Sequence, residues 1–315
     1  MSSWGAAARP RIRLGYHQVN PAGTFVKKEM PATVVSAYYE MPSKYPNEKY
    51  STWLRLFLEN IDCWLVFFCE SDLVPFIEDC RKAYPETTTI VVLPRERWIA
   101  NQVFSQQFWL DQHANDPEKN IHSPELYKVW FEKKEFVRRA IELNPYGHTD
   151  FVWTDAGICR SAGLAALIRN YPVASRIPTN KVLMLNVGEF TEKDNDIVSV
   201  KGVPIKGGGH GKMRVGGGIV AASRDMWLKY CDAFDAVVQK YLAAGLFIGK
   251  EQSIMATLVL ENTDLVSLVE PKAIGPELWF YLALWLGCSE KLYGVLNDKT
   301  RQGQKKSYEE LKVMA

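Results

Sequence analysis

No apolar stretch of this chain approaches the ~20 residues a bilayer-spanning helix needs. The longest apolar run near the C-terminus, Leu278 to Leu286, stops at Gly287 and reads as a buried helix or an amphipathic edge. The opening segment MSSWGAAARPRIRLG lacks an apolar h-region and does not read as a signal peptide. None of the six cysteines forms a CxxC pair, so zinc spacing is missing. Their mostly apolar neighbours suit buried free thiols, a reducing compartment and a cytoplasmic location. The net charge is only +2 and no long basic block occurs, which gives a nucleic-acid role little support. GxxxxGK[ST] is absent, and the first expected strand leads into Ser36-Ala37-Tyr38-Tyr39 rather than GxGxxG. A P-loop and a dinucleotide-binding oxidoreductase are therefore disfavoured. There is no internal repeat and no heptad array.

What remains has the composition of an ordinary folded protein. The 315 residues, 47% hydrophobic and 23% charged, suit one large α/β domain or two small ones. Thr33-Val34-Val35, Cys63 to Cys69 and Thr88 to Leu93 read as buried strands. Tyr50, Trp53, Leu54, Phe57 and Leu58 keep the helical period between the first two, and a short helix from Asp72 to near Tyr84 separates the second and third. That alternation predicts a parallel sheet flanked by helices. Residues 94–123, which carry Arg95, Arg97 and Lys119 among aromatics, either cover a groove or form a surface excursion. Ser123-Pro124-Glu125 starts a long helix. Its apolar side carries Leu126, Trp130, Val137 and Ile141, and Lys133, Lys134, Arg138 and Arg139 form an exposed or groove-facing charge. A helix over Ser161 to Tyr171, a strand over Lys181 to Val187 and a hairpin within 196–205 are expected further on.

The stretch Phe151-Val152-Trp153-Thr154-Asp155-Ala156-Gly157 organises the chain. A short apolar run after the turn Asn144-Pro145-Tyr146-Gly147 reads as a buried strand that delivers Asp155 at its C-terminal end. Ligands of open α/β sheets bind beyond those ends. A carboxylate there either holds a divalent cation that holds phosphate oxygens, or caps the next helix. Tyr38 and Tyr39, at the end of the first strand, either stack on a base or fill a core or groove. Lys206-Gly207-Gly208-Gly209-His210-Gly211-Lys212 is either an anion-binding nest with charge and a metal ligand beside it, or a solvated turn. Gly216-Gly217-Gly218 opens a central strand and permits a close backbone approach. Glu251 either favours the positive end of a helix or accepts a proton from a hydroxyl.

Several stretches in order carry a resemblance: VVSAYYEMP from Val34, LVFFCES from Leu65, LYKVWFEKKEFVRRAIELNP from Leu126, FVWTDAGICR from Phe151, VGGGIVAASRDMWLKY from Val215 and GKEQSIM from Gly249. Together they resemble the HtrL/YibB family of glycosyltransferase-like proteins over about residues 31–270. The resemblance implies a GT-A-like single α/β domain at 31–296, with a mostly parallel sheet and a short antiparallel excursion. A basic irregular extension at 1–30 and a polar tail at 297–315 flank it. It implies transfer of a sugar from a nucleotide-diphospho-sugar, UDP- or GDP-linked, to a hydroxyl of a glycan, glycoprotein or glycolipid, with Mn²⁺ or Mg²⁺. Metal ligation falls to Asp155 and His210, and acceptor deprotonation to Glu251. Donor contacts fall to Ala37, Tyr38, Tyr39, Arg95, Lys134, Lys206, His210, Lys212, Gly217 and Gly218, with Arg214 adding charge. The usual DxD pair keeps one carboxylate here, because Trp153 or Gly157 stands at the other position. That loss keeps a non-catalytic nucleotide-sugar- or glycan-binding protein open, and a metal-dependent sugar or phosphate ester hydrolase beside it.

Overall fold

A computed structural model describes residues 31–42, 44–191, 213–271 and 278–297, together with the backbone of three two-residue strands at 16–17, 273–274 and 306–307. The frame is one mixed sheet of strands β1 (Tyr16–His17), β2 (Thr33–Ala37), β3 (Trp64–Cys69), β4 (Thr88–Val92), β5 (Asp150–Thr154), β6 (Val182–Asn186), β7 (Val215–Ser223) and β8 (Val266–Val269). Their order across it is β1-β4-β3-β2-β5-β7-β6-β8. Strands β4, β3, β2 and β5 run parallel, as do β6 and β8. Strand β7 runs antiparallel between β5 and β6, and this is the short antiparallel excursion. A separate parallel pair joins β9 (Ala273–Ile274) to β10 (Lys306–Ser307).

The inner strands are covered on both faces, which is why TVVSA and WLVFFC read as nearly continuous apolar runs rather than alternating ones. One face packs on helices α1 (Asn47–Asn60), α2 (Val74–Cys80) and α6 (Ala162–Leu167) and on the C-terminal pair α9 (Tyr281–Gly287) and α10 (Glu290–Asn297). The opposite face packs on α3 (Ile99–Val103), α4 (Gln106–Asn115), α5 (Pro124–Leu143), α7 (Arg224–Ala243) and α8 (Glu251–Glu261). All six cysteines are free and buried. Among the described residues no helix is long and apolar enough to cross a membrane.

Three expectations need correction. The helix expected from Asp72 to near Tyr84 is only α2, after a 3₁₀ turn at Ser71–Leu73. The chain leaves the helix at Arg81, whose buried guanidinium donates to the carbonyls of Leu58, Ile61 and Cys63 and to Thr88 Oγ1. The helix expected over Ser161 to Tyr171 ends at Leu167. Pro172 disfavours the helical region for Tyr171, which instead enters the core and pairs its hydroxyl with Thr154 Oγ1 at 2.6 Å. Most of the charge on α5 is neither exposed nor groove-facing. Lys134, Glu135 and Arg138 are buried against α7, and Glu132 is fully buried, capping α3 through the N–H groups of Ile99 and Ala100. Burial of charge on both flanks is possible because each group finds an opposite charge or an N–H donor. The hairpin expected within 196–205 lies outside the described residues.

Candidate active site

A cleft of about 380 Å³ opens at the C-terminal ends of β2 and β5. This is a usual size for a small-molecule site, and it lies at the sheet edge where an α/β protein binds its ligands. Ala37 and Tyr38 line one wall, α1 and the loop before it a second, α5 a third, and Trp279-Phe280 a fourth. Asp155 and Arg160 come from the segment that follows β5.

Asp155 is set by its strand. Its N–H donates to the Gly218 carbonyl at 2.8 Å, one step beyond the β5–β7 ladder. Its Oδ1 accepts from Trp153 Nε1 at 2.9 Å and from Lys133 Nζ at 3.0 Å. Oδ2 bonds nothing among the described residues, and the side chain is 35% exposed. One carboxylate oxygen is thus fixed and the other is left for a ligand.

Lys133 ties three elements together. Its ammonium meets Asp155 Oδ1 at 3.0 Å, Glu251 Oε1 at 2.9 Å and the Gly217 carbonyl at 3.1 Å. A lysine has three donors, so all three are used. Burial pushes the lysine's pKa down, but the Asp155 and Glu251 carboxylates outweigh it and hold the ammonium above its ordinary value. Glu251 opens α8 and is nearly buried. It faces a small cavity behind Lys133, with Trp227 and Tyr230, rather than the cleft. Its Oε2 has no hydrogen-bond partner. Gly217 is required here, because a Cβ would stand 2.6 Å from Glu251 Oε1.

The structure therefore brings Asp155, Glu251, Gly217 and Gly218 together, and Ala37 and Tyr38 face the same cleft. Tyr39 also touches the cleft, but its ring is buried, stacked on Phe136 and edge-on to Trp98, and its hydroxyl donates to the Leu93 carbonyl. Arg95 stands outside the cleft lining, paired with Glu70 and donating to the Glu40 carbonyl. Lys134 is packed between Glu135 at 2.6 Å and Asp235 at 2.8 Å, away from the cleft. Lys133, its neighbour, is the lysine of this helix that lines the cleft. Arg214 is buried just before β7. Lys206, His210 and Lys212 lie outside the described residues.

Sequence reasoning missed the role of Lys133, although a signal was present. Lys133 sits in the apolar stripe Leu126, Trp130, Val137 as its one charged member. A charge in such a stripe has to find a buried partner. Arg160 was also missed, because its aromatic neighbours come from distant segments.

Asp116, Glu118 and His122 form the one described cluster with metal-ligand spacing. Its groups already satisfy one another. Asp116 Oδ2 takes Tyr127 Oη–H at 2.6 Å and contacts His122 Nδ1 at 2.8 Å, Oδ1 takes the Glu118 N–H, and Lys250 pairs with Glu118.

No family model matches the chain, and no curated protein matches it. Among solved structures, a match covers 77% of this chain and 86% of mouse xyloside xylosyltransferase 1 in its apo form, at 9% identity and a TM-score of 0.44.

Proposed function

We propose that this chain is a glycosyltransferase that moves a sugar from a nucleotide-diphospho-sugar to a hydroxyl acceptor on a glycan, glycoprotein or glycolipid. One observation carries the reading: a partly exposed carboxylate, Asp155, keeps Oδ2 without a partner among the described residues at a strand's C-terminal end in an aromatic and cationic cleft. The ordered stretches that resemble the HtrL/YibB family supply the reaction class, and no matched family model adds to them.

The residues fit a single divalent cation. Asp155 and Glu251 carry two negative charges against the one positive charge of Lys133, and Oδ2 is an open hard-oxygen ligand. Asp155 would hold Mn²⁺ or Mg²⁺, which when bound stabilises negative charge on a leaving diphosphate. Lys133 keeps Oδ1 turned inward and has no donor left for phosphate. Glu251 fixes Lys133 in turn, so its role in this reading is positioning rather than acceptor deprotonation. Tyr38 offers a ring for the base, and UDP and GDP are the nucleotides to test first.

Calorimetric titration of UDP and GDP with and without Mn²⁺ tests the assignment. Asp155→Asn is expected to weaken metal-dependent binding at least tenfold while the protein stays folded. Unchanged affinity and metal dependence would remove Asp155 from the site. A binding-only reading has its own support, since Asp155 is the only carboxylate lining the cleft among the described residues. Labelled donors offered with a panel of acceptors separate the two, because binding without product in every case favours the non-catalytic protein.

A further inference from the structure

The cleft contains a second charged position that the metal-and-diphosphate reading does not use. Arg160 lies with its guanidinium 4.1 Å from the Trp53 ring centroid, 4.9 Å from that of Phe280 and 5.8 Å from that of Tyr45. Rings around a guanidinium fix its plane without consuming its in-plane N–H groups. Its only hydrogen bond among the described residues runs from Nε to the Gly157 carbonyl, a long one at 3.4 Å. No carboxylate among the described residues lies within ion-pair distance of it. The one carboxylate lining this cleft among the described residues, Asp155, is engaged through Oδ1 by Trp153 and Lys133.

The surroundings share the same sign. Lys49 Nζ sits 4.3 Å from the Tyr45 centroid and 5.3 Å from that of Trp53, and Lys44 Nζ sits 5.6 Å from Tyr45. Neither lysine has an ion-pair partner among the described residues. Arginines that serve structure in this molecule look different. Arg81 spends its donors on carbonyls and hydroxyls, and Arg176 pairs with Glu290 while stacking on Tyr293. Arg160 is stacked, partly buried, aimed into a cleft, and left with its two terminal nitrogens unused among the described residues. Lys133, the other cation deep in the cleft, has no free donor.

We propose that Arg160 is the anchor of an oxyanion subsite in this cleft, receiving a phosphate or carboxylate in a two-pronged hydrogen bond, with Lys44 and Lys49 adding attraction at the mouth. The inference rests on the cleft being a ligand site, as proposed above. The matching of a planar fork to a planar or tetrahedral oxyanion makes this group the natural occupant. The oxyanion has two possible sources: the diphosphate of a nucleotide, or the carboxylate of an acidic sugar.

Two ligand pairs separate these sources, each differing in the anion: UDP against uridine, and glucuronate against glucose. Dissociation constants are measured at fixed ionic strength with Mn²⁺ present, for the unmodified protein, Arg160→Gln and Arg160→Lys. In the unmodified protein the charged member of at least one pair is expected to bind tenfold or more tightly than its neutral partner. Arg160→Gln should cut that preference at least fivefold. Arg160→Lys keeps the charge but not the flat fork, and should lose at least threefold of it, which decides the matter if the glutamine variant does not fold. Loss in the UDP pair assigns the diphosphate, and loss in the glucuronate pair assigns a sugar carboxylate. A charge preference surviving intact in both variants, or no charge preference in either pair to begin with, overturns the subsite. The two readings fail separately. Glucuronate preference that depends on Arg160, without binding of UDP or GDP, sinks the nucleotide-sugar reading alone. UDP binding that depends on Asp155, with preferences unmoved by Arg160→Gln, sinks the subsite alone.

Discussion

Lys133 and Lys134 are neighbours on one helix, and each ammonium is held by two carboxylates. Lys134 has Glu135, 3% exposed, and Asp235, 25% exposed, and lies over the rings of Phe131 and Phe234. Lys133 has Glu251, 6% exposed, and Asp155, 35% exposed. One residue along a helix is a rotation of about 100°, so the first lysine points at the cleft and the second into the contact between α5 and α7. The devices are alike, and what differs is where the second carboxylate stands. In the Lys134 cluster both acids are held in the α5–α7 contact. In the Lys133 cluster one acid keeps an oxygen in the cleft. A site here is a structural ion pair with one side left open.

The comparison can be broken by mutation, and the largest effect should come from the closed cluster. Lys134→Ala strands Glu135 in the interior and is expected to cost roughly 3–5 kcal/mol, read by urea unfolding. A loss under about 1 kcal/mol would show that the pair behaves like an exposed one. Lys133→Met should cost somewhat less, about 2–4 kcal/mol, because Asp155 can turn to water while Glu251 cannot. Adding Glu251→Gln to Lys133→Met should recover part of that loss. Simple additivity of the two changes would mean that they do not share an interaction.

The glycines sharpen the same contrast on a smaller scale. A Cβ at Gly217 meets Glu251 Oε1 at 2.6 Å, with the carboxylate pinned by Lys133. Gly217→Ala should cost about 1–3 kcal/mol and loosen Asp155, visible as weaker metal-dependent UDP binding. A Cβ at Gly218 meets Phe280 at 3.4 Å and Asp155 Oδ2 at 3.5 Å, ordinary contacts. Gly218→Ala should stay within about 0.5 kcal/mol. Equal costs at the two positions would contradict the pinned carboxylate.

A last test, read through pH, concerns a buried group that stays neutral. His148, beside Thr33 Oγ1 at 2.9 Å, is pushed by burial down to about 4 from an ordinary 6.5. Its folded value lies below its unfolded one, so it contributes nothing to the pH dependence of stability while both forms are neutral. As pH falls through 6.5 the unfolded chain takes up a proton that the folded chain refuses, and stability declines until about pH 4. The melting temperature of His148→Asn should fall less between pH 7 and pH 4.5 than that of the unmodified protein. Equal slopes would place the titration elsewhere.

Much of this frame was legible in the residues. Val34-Val35 and WLVFFC are apolar on both faces because helices cover both faces, and Ser123 caps α5 with its hydroxyl on the Leu126 N–H. Asp155 was legible for the same reason, since an acid directly after a buried strand has to emerge at its end. The assignment between Lys133 and Lys134 was not. Adjacent lysines differ only in azimuth, and the azimuth that matters is set by α7 and α8, about 100 residues away in sequence. Glu251 was placed at the site, but its orientation depends on Lys133 standing in front of it. Arg160 was invisible for a related reason: Tyr45, Trp53 and Phe280 reach it from three separate segments.

The indole that holds Asp155 has a use of its own. Trp153 donates Nε1–H to the carboxylate, lies 5.8 Å from the Lys133 ammonium and stacks on Phe136 at an interplanar angle of 11°. Any ligand that draws charge from that oxygen alters the field across a chromophore one hydrogen bond away. The molecule thus carries an intrinsic optical sensor in its candidate site, and the emission difference between the unmodified protein and Trp153→Phe would isolate that signal from the other nine tryptophans.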